Sequence, residues 1–343
     1  MEAGSIYAIS LVTNMLEKIS TLNMTRYDWL AERRKSIGGS DAGAVLGMNP
    51  FRSPYSVWSE KTGRLVDDTD NESMRQGRDL EQYVADRFTE KSGLRTQKYN
   101  YILRDPVRAP HLHANIDRRV AGGAGLECKT ASTLNLKNFA GGQFPKSYYA
   151  QCVAYLAVTG WRRWYLAALV FGKEFFIYQL TTIENDECPE WCESSVYVSQ
   201  SEIDALTSYV SDWWDKYVYT DVHPPVDGLE STTEAIQSTY PNDNGETTEL
   251  VGCDALIEDY FRLAEAEEAI VTQKNLIKQE LQSQMKEASY ATSLAARISW
   301  KSQERSTFDW RAFQKAHPKI DLNPYFKVSK SRVLRIKRNK EEN

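Results

Sequence analysis

"HANIDRRVAGGAGLECKTAS", residues 113–132, sets Asp117 ten positions before Glu127 and Lys129 two after it, around a glycine-rich turn. Side chains i and i+2 of a strand share a face, so Glu127 and Lys129 project together while Leu126, Cys128 and Thr130 face packing. The turn "AGGAG" returns the preceding strand antiparallel, and that return can carry Asp117 to the same place. Two carboxylates and an ammonium group then share one small volume. Adjacent carboxylates repel, and a hard divalent cation relieves the repulsion. Magnesium, with manganese as a substitute, accepts such oxygen ligands and keeps waters. With the cation in place, Lys129 can orient or help deprotonate a water, and charge developing on a scissile phosphate is offset. A surface strand that alternates charge to stay wet is the other reading, because D-x9-E-x-K also matches chance hairpins.

Around this hairpin, from Tyr27 to about Asp221, helical and strand periods alternate, which predicts an α/β domain. In "GRDLEQYVADRFTEKSG", Leu80, Val84 and Phe88 recur at i, i+4 and i+8 with Gly93 as a stop, a helix that carries Glu81 beside its buried stripe. "SYYAQCVAYLAVTG" repeats that logic, and "RRWYLAALV" and "KEFFIYQL" flank "FGK" as a strand pair. The amphipathic stretch "SEIDALTSYVSDWWDKYV" runs towards Pro224 and Pro225, where a helix cannot continue. The expected division is therefore a loosely ordered leader over 1–25, the main domain over 26–225, a turn-rich surface connection over 226–248, and an extension over 249–343. The extension opens with a long helix in which Leu256, Leu263, Ile270 and Ile277 stand seven apart. Glu267 and Lys274 interrupt the alternate seam, so a helical hairpin and a coiled coil are equally supported. "ARISWKSQERSTFDW" and "SRVLRIK" read as short strands around a small helix.

Hydrophobic content of 41% with 26% charge is that of a globular chain. No apolar run approaches the roughly 20 residues a bilayer requires, so no membrane association is expected. The N-terminus lacks a basic region and a cleavage site, against a signal peptide. Five scattered cysteines, none in a CxxC, point to a reducing cytoplasm, and Cys188 and Cys192 lack the histidines of a zinc site. The net charge of -5 gives no overall nucleic-acid signature, but Lys327, Lys330, Arg332, Arg335, Lys337, Arg338 and Lys340 form a basic tail behind an acid-rich segment, able to hold a polyanion locally.

The segment "WLAERRKSIGGSDAGAVLGMNPFRSPYSVWSEKTG" from Trp29 to Gly63, "GRDLE" ending at Glu81, "NID…LECK" and "YYAQCVAYL" around Gln151 occur in an order and spacing that resemble the YqaJ-like viral recombinases. These are a branch of the PD-(D/E)xK nucleases that includes the lambda-type exonuclease. The resemblance covers residues 26 to about 220 strongly and the rest more weakly. It implies a restriction-endonuclease-like core, a central mixed sheet flanked by helices, with a C-terminal helical and small β extension. It implies that Asp117 and Glu127 are metal-binding acids, joined by Glu81 and the backbone carbonyl of Cys128, with Lys129 the catalytic lysine and Gln151 holding the site. It also implies that Arg33 and Ser40 hold the 5′ phosphate of the degraded strand. One departure is Ile116, where the superfamily pattern has proline; that residue shapes the strand and carries no chemistry.

Carried over with the resemblance are digestion of linear duplex DNA from 5′ ends to leave 3′ single strands for recombination, a ring of three subunits, a phage single-strand annealing protein as partner, and the host cytoplasm as location. A structure-specific endonuclease and a non-catalytic DNA-binding or docking module are the rival readings.

Independently of the resemblance, "IGGSDAGAVLG" reads as a loop entering a helix with Ser40 at the cap, where free backbone N–H groups attract anions; a plain capped helix reads the same way. No GK[ST] follows it, so it is not a nucleotide-triphosphate loop. Arg52 is placed at the DNA entrance or, equally, on a solvated loop. His111 and His113 could face zinc but lack a third soft ligand, and are expected as strand residues near DNA or solvent. Trp213 and Trp214 are expected in the core rather than stacked on bases.

Overall fold

The computed structural model describes residues 16–65, 72–327 and 331–338. Residues 1–15 of the expected leader, and Lys330 and Lys340 of the basic tail, lie outside them. In chain order the first compact unit, which runs through Pro241, contains β1 (Glu17–Ser20), α1 (Arg26–Arg34), β2 (Ile37–Gly38), α2 (Gly39–Val45), α3 (Pro54–Lys61) and α4 (Glu72–Ser92). There follow β3 (Thr96–Lys98), β4 (Tyr101–Arg104), β5 (Leu112–Asn115), β6 (Arg118–Val120), β7 (Ala124–Ala131), α5 (Lys146–Thr159), β8 (Arg163–Val170), β9 (Phe175–Thr181), β10 (Ser194–Tyr197), α6 (Gln200–Trp213) and α7 (Glu230–Thr239). The mixed α/β architecture is the one the sequence predicts.

Local chemistry sets the helix ends. Thr25 caps α1 by accepting from the Asp28 amide at 3.1 Å, and Ser53 caps α3 ahead of Pro54, whose fixed φ suits the first helical turn. Gly93 and Gly160 close α4 and α5 with positive φ, a conformation that a Cβ would strain.

A six-stranded mixed sheet in the order β10-β9-β8-β7-β6-β3 carries the decisive hairpin in its interior, and a smaller sheet runs β1-β4-β5-β2. Alternation along β8 splits the core. Tyr165 and Ala167 join Val84, Ala85 and Phe88 of α4 on one face, while Trp164, Leu166 and Ala168 join α5 on the other. β7 lies parallel to β8 and antiparallel to β6, so it is anchored on both sides. α4 and α5 therefore flank the strand that carries Glu127.

Three expectations change. Glu17–Ser20 of the leader is a strand, paired antiparallel with β4. The turn formers of 226–248 include α7, which buries Thr232 and Ala235 and packs on α3, where the Ser53 amide donates to Ser231 Oγ at 3.0 Å. The compact unit accordingly extends past Pro225 to Pro241.

The second unit holds α8 (Asp254–Met285), β11 (Tyr290–Thr292) paired antiparallel with β12 (Arg297–Ser299), and α9 (Trp310–Ala316). The "SRVLRIK" segment forms no strand. Its neighbour Arg338 pairs instead with Glu258 at 2.9 Å and Glu265 at 3.4 Å on α8. Among the described residues no helix is long and apolar enough to cross a membrane.

Candidate active site

The hairpin turns at Gly122 and Gly123, both at positive φ. Its register pairs Arg118 with Leu126, and one step further sets Asp117 opposite Glu127 on the same face. The Cys128 amide donates to Asp117 Oδ2 at 2.8 Å, which fixes that carboxylate against β7. Glu127 is 3% exposed. Its Oε1 accepts from Gln151 Nε2 of α5 at 2.6 Å and from Lys129 Nζ at 2.7 Å. Its Oε2 is buried with no partner among the described residues.

Burial, followed by repulsion from Glu127 and Glu81, pushes the Asp117 carboxyl well above its usual range. Burial also raises Glu127, although Lys129 opposes it. For Lys129, burial alone would lower the ammonium, but Glu127, Tyr148 and Asp117 overcome that and raise it, so it stays charged. Its Nζ lies 4.9 Å from the centre of the Tyr148 ring. Two acids against one lysine leave excess negative charge in a closed space.

Glu81 projects from α4 into the same cleft, where its carboxylate is held by Arg118. Among the described residues no three acidic, histidine or cysteine side chains converge as a ready metal cage. The donor set that stands open is Asp117 and the free oxygen of Glu127. Two hard oxygens on a rigid hairpin fit a cation that completes its shell with waters, and magnesium binds in that manner.

The cleft is also lined by Trp29, Arg33, Ser40 and Arg52. Arg33 Nη2 donates to Ser40 Oγ at 3.3 Å, its guanidinium lies 4.6 Å over the Trp29 ring, and its Nε–H is buried without a partner among the described residues. Ser40 is not the helix cap: Gly38 is, and Asp41 reaches back to the Gly38 amide at 3.2 Å. Arg52 lies in the loop before α3 and lines the cleft with its side chain 25% exposed, clamped between Asp41 at 2.5 Å and Glu60. Lys61 Nζ completes this cluster, 2.7 Å from Asp41 and 2.9 Å from the Arg33 carbonyl. Burial by itself would raise Asp41, but Arg52, Lys61 and Arg33 hold it well below the usual carboxylate range.

Sequence reading missed Asp41, Glu60, Lys61, Arg118 and Tyr155. The phenol of Tyr155 accepts from Gln151 Nε2 at 2.8 Å, and a Cβ on Gly39 would meet its ring at 2.3 Å. The second glycine of "IGG" thus seats the ring behind Gln151. Helical spacing of Gln151 and Tyr155 signals that pairing; Glu60 and Lys61 read as an ordinary wet helix end.

The histidines meet the expectation in part: His113 is on strand β5 and His111 is partly exposed, but His113 does not reach solvent. His113 is fully buried, bonded to Ser36 Oγ at 2.9 Å, and held neutral chiefly by burial. His111 precedes β5 and stacks on Trp214 at 5.3 Å. Trp213 is in the core.

The YqaJ-like viral recombinase domain model matches residues 28–162. The protein YqaJ of Bacillus subtilis (strain 168) is 30% identical over 318 residues, covering 91% of this chain and 93% of that one. Among solved structures, an alkaline exonuclease (LHK-Exo) from Laribacter hongkongensis is similar at 15% identity and a TM-score of 0.45, over 57% of this chain and 94% of that one. A phage related exonuclease from Haemophilus somnus 129PT is similar at 10% identity and a TM-score of 0.38, over 54% and 96%.

Proposed function

The chain belongs to the YqaJ-like viral recombinase family, and from that premise we propose that it is a magnesium-dependent deoxyribonuclease that digests linear duplex DNA from 5′ ends. The 3′ single strands left behind serve recombination through an annealing protein. One observation carries the reading: a single cleft holds an unpaired buried acceptor, Glu127 Oε2, and an unpaired buried donor, Arg33 Nε–H. An orphaned group of either kind is unfavourable by about 1–3 kcal/mol unless a ligand satisfies it. A cation answers the first and a phosphate the second, and a metal-bound phosphodiester end supplies both.

Asp117, the free oxygen of Glu127 and the Cys128 carbonyl would hold the cation, with Glu81 joining if it leaves Arg118. Bound magnesium supplies electrostatic stabilisation to charge developing on the scissile phosphate. Gln151 and Lys129 fix Glu127 through its other oxygen, so the ligand atom cannot swing away. Lys129, charged and 20% exposed on its side chain, is a donor that orients the attacking water rather than a base that takes its proton. Arg33 and Ser40 receive the terminal 5′ phosphate. Asp41, Glu60 and Lys61 hold Arg33 and Arg52 in place, where a free surface arginine would have to be ordered on binding.

The test compares linear duplexes bearing 5′ phosphate or 5′ hydroxyl with covalently closed circles, each with and without magnesium. The expected result is magnesium-dependent release of nucleotides from linear duplex, fastest on 5′-phosphorylated ends, with circles untouched. Equal cutting of circles would make it an endonuclease, and no hydrolysis of any DNA would leave only a binding module.

A further inference from the structure

The long helix α8 leaves its seven-residue stripe uncovered. Leu256, Leu263, Ile270 and Ile277 are 71%, 59%, 58% and 61% exposed, and among the described residues no other helix or strand of the second unit packs along α8. Ile257 and Phe261, on the adjoining side, are partly buried, with the Arg338 guanidinium 4.4 Å over the Phe261 ring. The C-terminal tail thus lies against one side of the helix and leaves the other bare. At about 1.5 Å per residue the bare stripe, from Leu256 to Leu281, runs some ~38 Å, too long and regular for scattered surface apolars.

The seam between the four aliphatics reads Tyr260, Glu267, Lys274 and Leu281, again seven apart. Its charges choose an orientation. Two parallel copies in register would set Glu267 against Glu267 and Lys274 against Lys274, two like-charge contacts in the seam. Two antiparallel copies, centred between Ala269 and Glu268, set Leu256 opposite Leu281, Tyr260 opposite Ile277, Leu263 opposite Lys274 and Glu267 opposite Ile270. The apolar ends then close on each other, and Glu267 of each copy lies one layer from Lys274 of the other on one side and one layer from the other Glu267 on the other side. Two attractive contacts thus stand against one repulsive contact, where the parallel pair has only repulsive ones. Polar residues in a seam fix partner and register in this way.

We propose that α8 pairs antiparallel with α8 of a second copy of this chain, through the Leu256–Leu281 stripe and the Glu267 to Lys274 cross-contacts. The pairing uses none of the residues that line the cleft and does not depend on its chemistry. Any assembly made by the first unit is doubled by it.

The test is light scattering after size-exclusion chromatography on the full chain, across a wide concentration range. Leu263→Glu combined with Ile277→Glu should halve the mass, while helical content and cleavage of short duplexes hold, since both side chains are exposed. Glu267→Lys alone, or Lys274→Glu alone, should weaken association by about tenfold or more, because each converts two attractive contacts into repulsive ones. The double exchange Glu267→Lys with Lys274→Glu should restore it. A parallel pair would ignore the single exchanges, which only swap one like-charge contact for another. A mass unchanged by the paired glutamates, a chain monomeric at every concentration, or single and double exchanges that behave alike would each overturn the proposal.

Discussion

Two groups of buried carboxylates border one cleft, and they are compensated by opposite means. Asp41 is fully buried yet surrounded by Arg33, Arg52 and Lys61, which hold its carboxyl well below the usual range. Asp117 and Glu127 share Lys129, and both stand above that range, chiefly through burial, with repulsion from Glu127 and Glu81 adding to Asp117 and from Glu81 adding to Glu127. The first group is complete and serves as scaffold. The second is short of positive charge and keeps one carboxylate oxygen without a partner among the described residues, in keeping with the cation site proposed above. Removing charge from the two groups should therefore have opposite consequences.

The largest effect is expected at the hairpin. Asp117→Asn or Glu127→Gln should lower single-turnover cleavage of a linear duplex by at least ~10³-fold, while the melting temperature in EDTA rises for Asp117→Asn because its repulsion with Glu127 and Glu81 is removed. Asp41→Asn should do the reverse, destabilising the fold by about 3 kcal/mol as three cations lose their shared partner. Thermal melts that shift in the same direction for both substitutions would break the comparison.

Next in size is Lys129. Lys129→Ala leaves both acids in place, so magnesium binding measured by calorimetry should persist or tighten, while the cleavage rate falls by about ~10²-fold. Lys129→Arg should not restore it, because a planar guanidinium cannot occupy the compact position between Glu127 and the Tyr148 ring. Near-normal cleavage by Lys129→Ala would reduce the lysine to a strand residue that merely neutralises Glu127.

The pH response separates the two groups without changing the site. Asp41 titrates below its ordinary value in the folded chain, so its contribution is present above the usual carboxylate range and is lost as pH falls through the depressed value. Asp117 and Glu127 titrate above theirs, so the metal-free chain gains stability as pH falls from the raised values towards the usual range. Melts in EDTA should show that gain reduced, with the share of Glu127 remaining, in Asp117→Asn. Magnesium affinity should rise with pH over the same interval, because bound protons must leave before the cation enters.

The hairpin was legible because strand periodicity, a glycine turn and an acid-x-lysine step are local features, and α4 and α5 were legible from their apolar periods. Asp41, Lys61 and Arg118 were not, because their meaning is set by distant packing: a lysine that ends α3 reads as solvated until α3 is laid against α1. The leader strand failed for the same reason, since Glu17–Ser20 is ordered by β4, far along the chain. Turn-forming composition hid α7, which is held by burial of Thr232 and Ala235 rather than by propensity.

The smallest expected effect probes how the two groups are joined. Gln151 spends one amide N–H on Glu127 and offers its Nε2 also to Tyr155, whose ring rests against Gly39 at the start of α2, two residues before Asp41. Tyr155→Phe keeps the ring and its packing but leaves a buried amide hydrogen unsatisfied, a loss of about 1 kcal/mol. Gln151 can then rotate, and Glu127 loses one of the two donors that fix its orientation. The rate should drop severalfold at saturating magnesium, with the concentration of magnesium needed for half-activity rising in step, while binding of 5′-phosphorylated DNA is unchanged. A stability loss without any change in magnesium dependence would mean that Gln151 is held by α5 alone, and that the scaffold group and the metal group act independently.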